Sequence, residues 1–161
     1  MGSIDHLRKQ HGELIRLAKE IAPLLDAERL ALGFMKARLK LGAFARKVSV
    51  HLALEERFVY GRLVHHPSPV VVSKATELQN QSKALRESVT QYVERWITPA
   101  ADAEPVPAEF VEETTRLFDL VSKACNREDR EIYPLVDQLI IDSGTWPLDA
   151  EAEADEGRKV G

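Results

Sequence analysis

Apolar residues recur every three to four positions through four stretches of this chain, the period of helices that bury one face. In the first stretch the inward positions are Ile4, Leu7, His11, Leu14, Ala18, Ile21 and Leu25, with Ser3 as the expected N-cap and Pro23 expected to bend the last turn. The second is expected to run from Ala27 to about Val64 behind an Asp26 cap, and its stripe reads Phe44, Val48, His51, Glu55, Phe58 and Arg62. Gly33, Gly42 and Gly61 are its points of local irregularity. The run His65-His66-Pro67-Ser68-Pro69 ends it, because a proline disfavours helix in the residue before it. The third helix is expected over Ser73 to Ile97, with Ala75, Leu78, Leu85, Val89, Tyr92 and Trp96 inward and Thr98-Pro99 as its stop. Its seam position between Leu78 and Leu85 falls on Gln81 or Ser82. The fourth is expected over Ala108 to Ile141, with Phe110, Thr114, Leu117, Val121, Ala124, Glu128, Ile132, Leu135 and Leu139 inward and a kink at Pro134.

Four long amphipathic segments with short connections predict an all-α fold, an antiparallel up-down four-helix bundle over residues 1–141. Residues 100–107 read as a loop, and residues 142–161 as a flexible acidic tail. Composition agrees with this picture, since aromatics make up only 6% of the 161 residues, few for a β-sandwich. A net charge of −4 without a basic stripe argues against nucleic acid as a partner. No window approaches the roughly 18 apolar residues of a membrane span, and the N-terminus runs directly into an amphipathic pattern instead of an apolar leader. With a single cysteine, Cys125, ruling out an intrachain disulfide, a cytoplasmic protein is the expectation.

The chemistry lies in four polar residues on otherwise apolar seams: His11, His51, Glu55 and Glu128. A buried carboxylate is costly unless it is paired or holds a metal, and His51 and Glu55, four apart, share one helix face. The plain alternative is a buried hydrogen-bonded pair with the histidine protonated, and Glu128 has Arg57 or Arg130 as alternative partners. Sliding His51–Tyr60 onto Ala124–Tyr133 places Glu55 on Glu128, Glu56 on Asp129, Arg57 on Arg130 and Tyr60 on Tyr133. The second and fourth helices therefore look like related halves, with Ala124 where the first half has a histidine. Tyr60, Tyr133, Cys125 and Gln81 are the candidates to flank the site, the tyrosines as donors to the carboxylates. His6, His65 and His66 are expected at the surface.

His11 followed by Glu13-Leu14, the spacing His51-x-x-x-Glu55-Glu56, and the acidic run Glu128 to Glu131 ending in Ile132-Tyr133-Pro134 together resemble the hemerythrin-like, or HHE cation-binding, domains. The resemblance covers the chain from about Ile4 to Leu139. It implies a non-haem di-iron centre with bridging carboxylates and terminal histidines, which would make His11 and His51 terminal ligands and Glu55 and Glu128 the bridges. It also calls for a histidine in the third helix, where this chain has Gln81 or Ser82, and another at Ala124; no histidine follows His66. The expectation is a metal-binding or sensing protein with a reduced site for iron, as one ion or a partial pair, or for zinc. The ligand sensed would be a small diatomic such as oxygen or nitric oxide. The rival readings are a metal-free regulatory bundle with a protein partner, and a di-iron oxidase or peroxidase-like enzyme.

Overall fold

The computed structural model describes residues 3–98 and 107–143, and among these every regular element is helical. Helix α1 spans Ser3–Ile21 and gives way to a single tight turn at Ala22–Leu24, where Pro23 sits. Asp26 opens α2 (Ala27–Glu55) by accepting a hydrogen bond from the Glu28 amide at 2.8 Å, as a cap does. Gly33 breaks the regularity of α2 at φ −148° and ψ 30°. The helix then continues through a wide turn at Glu56–Tyr60 and ends at Gly61–Leu63. Helix α3 starts at Pro69, four residues earlier than the apolar period suggests, because proline is tolerated at the first helical position. It runs to Tyr92 and closes in a second wide turn, Val93–Ile97, whose last carbonyl accepts from Arg38 Nε and Nη2 at 3.0 and 2.7 Å. Helix α4 (Pro107–Glu131) is broken at Ile132, and α5 (Tyr133–Ser143) resumes with Pro134 in its first turn, where a missing N–H costs nothing. The side chain of Ser3, residues 99–106 and the tail from residue 144 lie outside the described residues, and with them the cap, most of the loop and nearly all of the tail expected above.

Cross-helix pairs fix the topology. Gln10 and Glu13 of α1 face His51 and Lys47 of α2. Glu56 and Arg38 of the second helix face Gln79 and Ile97 of the third. Glu77 and Trp96 face Arg127 and Glu113 of α4. Arg8 and His11 face Asp137 and Asp129, which closes the ring. In each pair one number rises as the other falls, so all four neighbours run antiparallel. Two apolar clusters fill the interior. The larger gathers Leu14, Ile21, Leu41, Phe44, Trp96 and Phe110, and the smaller gathers Leu7, Val59, Leu63, Leu78, Ile132 and Val136.

The inward stripe of α2 departs from the expected one after Glu55. Phe58, Val59 and Tyr60 are all buried, and Leu63 is inward in place of Arg62, which is exposed. In the wide turn the Gly61 amide bonds back five residues to the Glu56 carbonyl, so one extra residue enters the turn and rotates everything beyond it. Gly61 permits this: a β-carbon there would stand 2.9 Å from the Glu56 carbonyl oxygen. The change Gly61→Ala is therefore expected to lower stability by about 1–3 kcal/mol, as overpacking does, measured as a shift in the urea unfolding midpoint. An unchanged midpoint would mean that the turn tolerates the methyl group.

Candidate metal centre

The four polar seam residues meet between the two apolar clusters. His11, His51, Glu55 and Glu128 are exposed by only 1%, 3%, 0% and 3%, and one ligand atom from each lies within 4.8 Å of all the others. The two imidazole Nε2 atoms face each other at 2.9 Å. His11 Nε2 is 3.1 Å from Glu128 Oε2 and 3.5 Å from Glu55 Oε1, and His51 Nε2 is 3.1 Å from Glu55 Oε1. Of the alternative partners of Glu128, Arg130 is exposed and bonds the Asn126 carbonyl, and Arg57 is exposed and lies over the Phe58 ring.

The helix irregularities position the carboxylates and what holds them. Glu55 is the last residue before the wide turn of α2, and Glu128 sits one turn before the break of α4. The tyrosines just past each irregularity reach across to the other half. Tyr133 donates to Glu55 Oε1 at 2.5 Å, and Tyr60 donates to Glu128 Oε1 at 3.0 Å. Tyr133 also stacks on His11, with ring centroids 5.0 Å apart. Burial and the two carboxylates push both phenols far above their ordinary range, so they remain neutral donors.

Residues adjacent in sequence to the four complete the set, and the sequence reading missed two of them. Asp129, next to Glu128, is 2.9 Å from His11 Nδ1. Gln10, next to His11, places its Oε1 2.7 Å from His51 Nδ1. The signal was present: a residue flanking a ligand on one helix faces the neighbouring helix, not the core.

Of the two residues expected at the seam of the third helix, Ser82 faces inward and Gln81 does not. Gln81 is exposed, and it lines a surface groove with Ala84, Leu120 and Ala124. Ser82 is the buried residue, and its hydroxyl has no hydrogen-bond partner among the described residues. On α4 the inward residue of the turn before Glu128 is Cys125, with Ala124 only half-buried, so the seam steps three residues there and not four. The Cys125 thiol interacts with His11, but burial raises its pKa and keeps it neutral. His6 and His65 are exposed, and His66 accepts a hydrogen bond from the Ser68 amide.

These donors suit a cation. The Nδ1 atoms of both histidines face acceptor oxygens, so each ring can donate outward and turn an Nε2 lone pair inward. Two such lone pairs 2.9 Å apart, beside two carboxylates, need positive charge between them. A proton on one nitrogen satisfies one of these contacts. Moreover, Glu55 Oε2 is buried with no hydrogen-bond partner among the described residues. Imidazole nitrogens and carboxylate oxygens are ordinary ligands for iron and zinc.

A four-helix bundle with inward imidazoles and carboxylates has the architecture of the bundle-core metal proteins. The family model of the hemerythrin HHE cation-binding domain matches residues 2–136, and the chain belongs to that family. No curated protein and no solved structure matches it significantly. Family and cluster together fit a metal-binding protein.

Without metal, the charges balance in a pH-dependent way. Burial alone would lower the His11 pKa, but hydrogen bonding to Cys125, Glu128 and Glu55 raises it well above the usual imidazole range. Burial would raise Glu55, but His11 and His51 hold it low. Burial and the Glu55 charge push Glu128 up. A raised folded-state pKa contributes stability at low pH that is lost as pH rises through it, so His11 and Glu128 act in the same direction. The depressed Glu55 acts oppositely, but only in acid, below its ordinary range near 4.5. Chelator-treated protein is therefore expected to lose thermal stability as pH is raised from about 6 to 9. A melting temperature that is flat or rising over that range would contradict the assignment.

Proposed function

We propose that this chain binds one metal ion through His11, His51, Glu55 and Glu128 and serves as a binding or sensing protein, not as a fast catalyst. The observation that carries the reading is the convergence of two Nε2 atoms and two carboxylates, with each imidazole Nδ1 facing an acceptor oxygen and one oxygen of each carboxylate held by a tyrosine. The count of one rests on the second half of the layer. There Ser82 and Cys125 stand inward, and neither is an imidazole. Iron is favoured by the family, and zinc is compatible with two imidazoles and two carboxylates.

Bound iron would supply affinity for a small diatomic ligand, oxygen or nitric oxide. The protein's part is to hold the donors. Asp129 and Gln10 orient the two imidazoles, while Tyr133 and Tyr60 each hold one carboxylate oxygen. The apolar clusters on either side exclude water from the layer.

Elemental analysis of protein expressed in iron- and zinc-supplemented media tests the reading. One metal per chain is expected, lost in His51→Ala and in Glu55→Ala, with both variants still helical by circular dichroism. Two irons per chain would restore a complete di-iron centre. No metal in either medium would favour a metal-free regulatory bundle, held together by a protonated His11 between two carboxylates.

A further inference from the structure

His11 and His51 are not equivalent, and the difference lies outside the cluster. Behind His11 stands a carboxylate, Asp129. Behind His51 stands a neutral amide, Gln10. The Gln10 amide is itself oriented: its Oε1 lies 2.7 Å from His51 Nδ1, and its Nε2 lies 3.1 Å from Nε2 of the exposed His6, one helical turn earlier on α1. Turning the amide over would set its NH2 group against His51 Nδ1 and its oxygen against His6 Nε2. Gln10 is only half-buried and also lines a surface pocket between α1 and α2 with Leu14, Ala43 and Val50.

We infer that Gln10 is a positioning residue that selects the Nδ1–H tautomer of His51. The physical basis is that an imidazole with its proton held at Nδ1 must offer a lone pair at Nε2, the atom that faces the centre. A carboxylate partner makes an imidazole a stronger donor than an amide does. His11 is accordingly the stronger donor of the two and His51 the weaker. The weaker ligand is tied to the outside through a residue that solvent reaches. A residue on the first helix thus controls a ligand on the second.

The consequence for affinity rests on the metal-binding reading above, whereas the consequence for the tautomer does not. Side-chain nitrogen NMR of metal-free protein at pH 8 is expected to show His51 protonated at Nδ1. Gln10→Leu should mix the two tautomers, and Gln10→Glu should keep Nδ1 protonated. In a Zn2+ titration, Gln10→Leu should weaken binding by about 10- to 100-fold, with Gln10→Glu at or above the unsubstituted protein. Circular dichroism of each variant excludes misfolding as the cause, and Gln10→Asn, too short to reach His51, serves in place of a Leu variant that fails to fold. An unchanged His51 tautomer in both Gln10→Leu and Gln10→Asn would overturn the inference, as would Zn2+ affinity that is equal in all Gln10 variants. If the unsubstituted protein takes up no Zn2+, the metal-binding reading fails for zinc and the tautomer result alone decides the role of Gln10.

Discussion

Two imidazoles and two carboxylates share one dry layer in the middle of this bundle, and much of the surrounding structure can be understood as the means of keeping them there. Each group loses its hydration on burial and must recover interactions from its neighbours. The recovery is nearly complete on the outer side of the layer. Asp129, Gln10 and Tyr60 each meet one atom of one member, and Tyr133 holds Glu55 Oε1 while lying 3.1 Å from His11 Nε2. It is incomplete in two places: the two Nε2 atoms oppose each other, and the buried Glu55 Oε2 has no hydrogen-bond partner among the described residues. The members of a self-contained polar network would satisfy one another, and these do not.

The irregular turns serve the same constraint. In a regular helix the fifth residue after Glu55 points well away from it. The wide turn at Glu56–Tyr60 inserts one residue, and the break at Ile132 interrupts α4 at the matching place. Each irregularity brings a tyrosine into the layer that a straight helix would place elsewhere. The tyrosines then cross over, from the second helix to Glu128 and from α5 to Glu55. The second helix and the α4–α5 pair are thereby tied to each other, not each to itself.

Much of this was legible in the residues. The period of apolar positions marked four helices, and all four ligand candidates stood on seams that the structure buries. The misplacements share one cause, which is helix phase. Arg62 was expected inward because the wide turn adds a residue that a constant period cannot register. Ala124 was expected inward because the seam was read as stepping three and then four residues from Val121 to Glu128, whereas α4 steps four to Cys125 and then three. Gln81 and Ser82 differ by one position, and packing against α2 and α4 settled the matter for Ser82. Asp129 and Gln10 were overlooked because each lies off its own seam, on the flank that meets a neighbouring helix.

By itself, the sequence determined the helical class, the stops set by proline, and the membership of the polar layer, because each follows from local spacing along one helix. Only the tertiary structure decided which atoms of those residues converge, since that depends on the phase of each helix relative to three others. It also decided that the two histidines stand on unlike supports, a carboxylate behind His11 and an amide behind His51. Both supports come from another helix, and no spacing within a single helix encodes a neighbour's side chain.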